Sequence, residues 1–294
     1  MFLQQSQNQY QKKRSLNELI ESGTIFLERH NIDQPRRNAE ILLAYILKKP
    51  LYYLYVYGNE IISQDFIEIY AGMLKERVVY VPIQYITGES NFFGRTFFVR
   101  EGVFIPRPET EVLVEKTLSL YRDYFGVLEC VRILDIGTGC GNIAVTLASE
   151  IENCSVIAID ISPPVLNLAF RNAILHKVED KVCFEQGDLF PSREEKFHII
   201  VSNPPYIPHS EIPFLDEEVK KEPLRALDGG RNGTRVLERI LRRATGFLHH
   251  GGFLIMEIGC GQAEFIRDKG IGMNLFSIEK DIAGIERVAV FRNG

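Results

Sequence analysis

The stretch Ile133–Asn142 reads ILDIGTGCGN, an apolar run that ends in glycines at Gly137, Gly139 and Gly141. Such a run predicts a buried strand that turns sharply into a helix, because glycine permits the turn and lets backbone approach a ligand closely. Asp160 closes the next apolar run, SVIAID, where an acid that accepts from ribose hydroxyls is expected. Each such charge-assisted bond contributes about 1.5–3 kcal/mol. The dinucleotide pattern GxGxxG requires glycine where Asn142 stands, so the loop predicts a nucleoside with a short tail instead of a pyrophosphate. Thr138 and Cys140 belong to the same loop and count among its candidate ligand-binding residues. Asp135 on the strand and Asp188 in QGDLF are expected to flank the ligand, Asp188 near the base; a turn cap is the alternative for Asp188.

Outward from this loop the chain alternates strand and helix patterns. VRILDI, AVTLASEI, SVIAID, a helix from Pro163 to about His176, VCFEQGD, FHIIVS, a helix near Thr234–Leu248 and GGFLIMEI follow one another. Alternation of this kind predicts an α/β fold with a doubly wound, mostly parallel sheet and helices on both faces. The last run, RVAVFR, is expected as an antiparallel edge. EIGCGQ at Glu257–Gln262 imitates the glycine loop but lacks a following strand-end acid, so it is read as a turn and helix start.

FHIIV leads directly into SNPPYIP, Ser202–Pro208. Two prolines end the strand and hold its exit extended, which presents Asn203 and Tyr206 on a stiff ledge. The Asn203 side-chain oxygen and the Pro204 carbonyl can accept the two N–H bonds of a planar NH2 group, and Tyr206 can stack on its plane. If the electrophile is a sulfonium methyl, an amide nitrogen held in line can react without a strong base. The alternative is a tight turn with a structural asparagine.

The first eighty residues follow a different period. Ser15 and Glu18 form a candidate capping box ahead of Leu16, Leu19, Ile20, Leu27 and His30; Ala39, Leu42, Leu43 and Ile46 mark a second helix; Phe66, Ile69, Tyr70, Met73 and Leu74 mark a third, ending near Arg77. The expected domains are a helical docking domain at 1–81, a β-hairpin linker at 82–102 spanning PIQYITG and NFFGRTFFV, and a catalytic domain at 103–294. The opening MFLQQSQNQYQKKR reads as a frayed tail without the core of a signal peptide. IPRPETE, ahead of the glycine loop, reads as a lid or edge that opens a helix.

Composition narrows the partners. The formal net charge of −5 argues against electrostatic wrapping of nucleic acid. Five cysteines form no CxxC pair, and the six histidines show no ligand spacing with cysteine, so no structural zinc is expected. His249–His250 is expected as the polar end of a helix. No apolar run approaches the roughly 20 residues that span a bilayer.

ILDIGTGCGN, AID, GDLF and SNPPY, in this order, resemble class I S-adenosylmethionine-dependent methyltransferases. With IPRPETE and PIQYITG before SNPPY and EPLRALDGG after it, the chain resembles the release factor glutamine methyltransferases. The resemblance implies a seven-stranded Rossmann-like sheet and S-adenosyl-L-methionine as cofactor, while the odd cysteine count without a CxxC pair reads as reduced thiols in a cytoplasmic protein. Its substrate would be the GGQ glutamine of class 1 peptide release factors, methylated on the side-chain amide. Gly137, Gly139, Gly141 and Asp160 would hold the cofactor, with Leu189 beside the adenine and Phe104 and Thr110 lining the site. Asn203, Pro204, Pro205 and Tyr206 would grip the glutamine. Cys140 and Leu189 depart from the usual pattern, Leu189 standing where an aromatic often packs on the base.

Glu211, Asp216, Glu217 and Glu218 are candidates for steering a basic partner, or an ordinary solvated face; Phe92 and Phe93 are candidates for docking, or core. Two other functions compete: an N-methyltransferase acting on exocyclic amino groups of DNA or RNA, and a nucleoside-binding regulatory module without catalysis. The first lacks the basic face it needs. The second predicts that Asn203 is dispensable.

Overall fold

The computed structural model describes residues 13–268 and 273–294. The tail expected at the start of the chain lies, apart from Lys13 and Arg14, outside them. The chain divides into two compact units that meet in sequence between Thr87 and Gly88.

In the first unit, a short strand β1 (Arg14–Ser15) leads into α1 (Leu16–Glu28), followed by α2 (Pro35–Leu47) and α3 (Leu51–Val56). Strand β2 (Ile61–Ile62), α4 (Gln64–Arg77) and α5 (Ile83–Thr87) complete it. Ser15 caps α1 with the reciprocal Glu18 bond, a motif worth about 1 kcal/mol. Leu16, Leu19, Leu27, Leu42, Leu43 and Leu54 are fully or almost fully buried and form one core. PIQYITG, expected as part of a hairpin, holds α5: Pro82 accepts from Tyr85 and Ile86 N–H, and Thr87 Oγ1 donates back to Ile83 O. Backbone bonds onto Pro82 O, at a proline whose fixed φ suits a helix start, override the β-branched composition here.

The second unit opens with the hairpin β3 (Glu89–Phe92) and β4 (Arg95–Phe98), then α6 (Glu111–Leu120). The alternating region follows: β5 (Val131–Ile136), α7 (Asn142–Glu150), β6 (Cys154–Asp160), α8 (Pro163–Leu175), β7 (Val182–Gln186) and β8 (Phe197–Ser202). After α9 (Leu224–Leu227) and α10 (Arg235–Phe247) come β9 (Leu248–Glu257), α11 (Ala263–Asp268), β10 (Asn274–Lys280) and β11 (Glu286–Arg292). The seven strands from β5 onward form one sheet in the order β10-β11-β9-β8-β5-β6-β7. β5 to β9 are mutually parallel, and β11 runs antiparallel to both its neighbours.

RVAVFR is therefore antiparallel but interior. The edge is β10, NLFSIEK, whose weak apolar pattern and mostly exposed or half-buried residues hid it in the sequence. His249 and His250 likewise begin β9 instead of ending a helix, and His249 stacks on His198 of β8 with ring centroids 4.6 Å apart. Phe92 belongs to the core, 1% exposed and edge-on to Phe97.

The chain order reverses between β5 and β8, and a crevice at that switch point is where open α/β sheets bind ligands. Register aligns the strand ends there: Ile136 pairs with Ile159 and Ser202, Asp160 with Gln186, and Ser202 with Met256. Gly137, Asp160, Asn203 and Glu257 consequently emerge on one edge.

Candidate active site

A cavity of about 770 Å³ opens at this edge, well within the range of small-molecule sites. Gly137, Thr138 and Gly139 form one wall, Asp160, Asp188 and Leu189 another, and Asn203 to Tyr206 a third; Phe104 and Thr110 also line it. Sequence positions more than 100 residues apart thus share one space. Cys140 and Gly141 do not line it. Cys140 is 1% exposed, and burial pushes its thiol up to about 12, so it packs as a neutral apolar group.

The glycines divide by role. Gly137 and Gly139 adopt positive φ, and a Cβ built on either meets no protein atom within 4 Å. Their faces are open, as a backbone cradle requires. Gly141, also at positive φ, would place a Cβ 3.1 Å from Ala169 Cβ, so its need is close packing of the loop against α8. Asn172 of α8, fully buried, holds the assembly: its Nδ2 donates to Cys140 O at 2.8 Å and Phe98 O at 3.0 Å, and its Oδ1 accepts from Phe98 N–H at 2.8 Å. A lone asparagine within an apolar helical stripe was the available signal.

Asp160 accepts from Gly139 N–H at 3.2 Å and Ser162 N–H at 2.9 Å. Burial raises its pKa, and these N–H groups oppose the rise. Asp135, by contrast, is wholly buried beneath the loop, where its carboxylate accepts from Thr138 Oγ1 at 2.7 Å. It supports the turn and does not reach the cavity, contrary to the expectation that it flanks a ligand. Asp188 is exposed at the rim, paired with Arg239 at 2.6 Å. Leu189 sits at φ +75°, a strained conformation for a branched side chain.

The SNPPY corner is braced from behind. Asn203 Nδ2 donates to Thr110 Oγ1 at 2.9 Å, and Thr110 Oγ1 donates to Glu257 Oε2 at 2.6 Å. Tyr206 Oη donates to the other carboxylate oxygen at 3.1 Å. Gln262 Nε2 donates to Tyr206 O at 3.0 Å, while its Oε1 accepts from Gly259 N–H at 2.8 Å. EIGCGQ is thus the back wall of the corner as well as a turn and helix start. Glu257, 1% exposed, was missed by sequence reasoning; an acid closing the apolar run GGFLIM was the signal. Burial lifts Glu257 to about 7 against the pull of Thr110, Tyr206 and Arg287. Burial and Glu257 together push the Tyr206 phenol well above its ordinary value, so it stays protonated.

The segment after SNPPYIP returns over the cavity, with Leu215, Val219, Pro223, Arg225, Ala226 and Leu227 facing it. Glu222, buried, ties this segment to IPRP: it accepts from Ile105 N–H at 3.0 Å and pairs with Arg107. IPRPETE, expected as a lid or edge, is thereby fixed to this segment.

Residues 18–88 match the model of the PrmC N-terminal domain, and residues 129–271 match a methyltransferase domain model. The chain is 38% identical over 264 residues to a release factor glutamine methyltransferase of Aquifex aeolicus, covering 87% of this chain and 90% of that relative. It is 34% identical over 292 residues to a bifunctional methyltransferase of Rickettsia typhi, covering 93% of this chain but 56% of that protein, so it spans just over half of the longer relative. A crystal structure of a methyltransferase from Pyrococcus furiosus shares the fold at 20% identity, with a TM-score of 0.51 over 69% of this chain and 91% of that one. With near full-length coverage at such identity, and with both halves matched by family models, the chain belongs to the release factor glutamine methyltransferase family.

Proposed function

We propose that this protein transfers a methyl group from S-adenosyl-L-methionine to the side-chain amide nitrogen of the glutamine in the GGQ loop of class 1 release factors, in the cytoplasm. The observation that carries the reading is that the Asn203–Tyr206 corner lines the same cavity as the glycine loop and Asp160. The residues present fit the cofactor: open faces at Gly137 and Gly139 leave room for its tail, Asp160 suits the ribose hydroxyls, and Phe104, Asp188 and Leu189 remain for the base. When bound, the cofactor supplies a methyl group activated by a sulfonium charge.

The chain's own residues do the rest by positioning. Asn203 Oδ1 and the Pro204 carbonyl accept the two N–H bonds of the glutamine amide, which orients its nitrogen lone pair. Tyr206, fixed by Glu257 and Gln262, presents its ring to the amide plane. Tyr206 is not a base, because burial and Glu257 keep its phenol protonated. The amide proton leaves to water after transfer. Glu211, Asp216 and Glu217 are exposed on the segment beside the cavity and favour a basic protein partner over nucleic acid.

The test is mass spectrometry of a release factor and of duplex and single-stranded nucleic acid after incubation with labelled cofactor. One added methyl on the GGQ glutamine is expected. Label confined to nucleic acid overturns the reading.

A further inference from the structure

We propose that Glu257 is a positioning residue whose carboxylate sets the direction of a hydrogen-bond relay that turns the Asn203 carbonyl oxygen toward the substrate. The inference rests on the glutamine-amide reading of Asn203. Its links are the 2.6 Å bond from Thr110 Oγ1 to Glu257 Oε2 and the 2.9 Å bond from Asn203 Nδ2 to Thr110 Oγ1.

An ionised carboxylate only accepts hydrogen bonds. The Thr110 proton must therefore go to Glu257, which leaves the Thr110 lone pair to receive Asn203 N–H. That leaves one amide orientation for Asn203, with Oδ1 turned away from Thr110. A proton on Glu257 Oε2 reverses every link: the acid donates to Thr110, Thr110 donates to Asn203 Oδ1, and the amide turns over. Asn203 then turns its NH2 toward the substrate's own NH2, donor against donor, and the grip on that nitrogen fails.

Glu257 is enclosed on several sides. Thr110 and Glu109 face it from the segment before α6, Tyr206 from the exit of β8, and Arg287 from β11. Arg287 is shared, because its Nε also donates to Asp281 Oδ2 at 2.9 Å. Tyr206 stays protonated throughout, so it donates to Oε1 in either state. Burial holds Glu257 near 7, so the relay reverses within an accessible pH range. The sign follows from the raised value: the ionised, productive form dominates above about 7 and is lost as pH falls through it. At pH 6 about a tenth of the molecules remain ionised, so kcat is expected to fall about tenfold between pH 8 and 6.

The test combines kinetics with a measurement on the free full-length protein. The wild type should show the acid limb in kcat, and the 15N resonance of the Asn203 side-chain amide should titrate with the same midpoint in the absence of substrate. Glu257→Gln should abolish both the limb and the titration. Thr110→Val should lower kcat about 10–100-fold while leaving the Kd for S-adenosylhomocysteine and the KM for release factor within about threefold, and Thr110→Ser should restore most of the rate. The proposal is overturned if Glu257→Gln keeps the limb, if the Asn203 resonance does not titrate, or if the Thr110→Val loss lies wholly in cofactor affinity. Failure of the functional reading looks different: the wild type would methylate no glutamine while the free-protein titration persisted.

Discussion

Gly139→Ala and Gly141→Ala place the same methyl group two residues apart in one loop, and the structure assigns them opposite consequences. Both positions have positive φ, 56° and 84°, where a Cβ costs about 1–2 kcal/mol. At Gly139 the added atom meets no protein neighbour within 4 Å, so no further stability is lost. The methyl instead enters the cavity wall that is to receive the cofactor. A poorly accommodated methyl there should cost about 1–3 kcal/mol of binding, or roughly 5–150-fold in Kd. At Gly141 the methyl sits 3.1 Å from Ala169 Cβ and 3.3 Å from its Cα, which adds overpacking of about 1–3 kcal/mol to the backbone term. Gly141→Ala should therefore lose about 2–5 kcal/mol of stability in all, against about 1–2 for Gly139→Ala. At about 2–4 °C per kcal/mol for a unit of this size, Tm should drop by about 4–20 °C and 2–8 °C respectively. Calorimetric titration with S-adenosylhomocysteine and thermal unfolding of both variants measure the two effects separately. Equal losses of affinity, or a larger Tm drop for Gly139→Ala, would refute the division of labour within the loop.

Other substitutions probe the remaining walls. Asn203→Ala should slow methyl transfer at least about 100-fold, equivalent to about 2.7 kcal/mol, while leaving cofactor binding largely intact; an unchanged rate in single-turnover assays removes Asn203 from the mechanism. Asp160→Ala should weaken S-adenosylmethionine binding more than Asp188→Ala, because Asp160 is held by two backbone N–H groups whereas Asp188 is an exposed rim residue paired with Arg239; calorimetry giving the reverse order shows that the ribose acid is misassigned. Glu222→Ala strands the buried Ile105 N–H and should cost about 1–3 kcal/mol, read as a lower Tm and faster proteolysis of the 209–227 segment. Unaltered proteolysis would mean that Glu222 does not hold that segment down.

The parts of the site that the sequence discloses are those encoded locally. Gly137, Gly139, Asp160 and the SNPPY corner each follow directly on an apolar strand, and strand-end position is enough to bring them to one edge of a parallel sheet. The parts it conceals depend on contacts between distant segments. Glu257 acquires meaning only once β9 lies beside β8 and Thr110 arrives from the other side, 147 positions away in sequence. Asn172 is an ordinary helical residue until Phe98 and Cys140 are found against it. Arg107 and Glu222 look like surface charges in two loops, yet they pair, with Glu222 buried and Arg107 lining the cavity. Misread strands have the same origin: β10 carries exposed Leu275 and Phe276 among polar residues, so tertiary pairing with β11, not its own period, makes it a strand. Gly141 shows a subtler limit. Its conformation was legible from the turn, but its neighbour Ala169 was not.

Methyl transfer depends most directly on how Asn203 meets its substrate. A crystal structure of the protein with S-adenosylhomocysteine and a GGQ-containing peptide should show the glutamine side chain beside Tyr206, its two N–H groups on Asn203 Oδ1 and the Pro204 carbonyl, and Asn203 Nδ2 still on Thr110. A glutamine bound outside this corner, or a cofactor sulfur with no open path to it, would contradict the account.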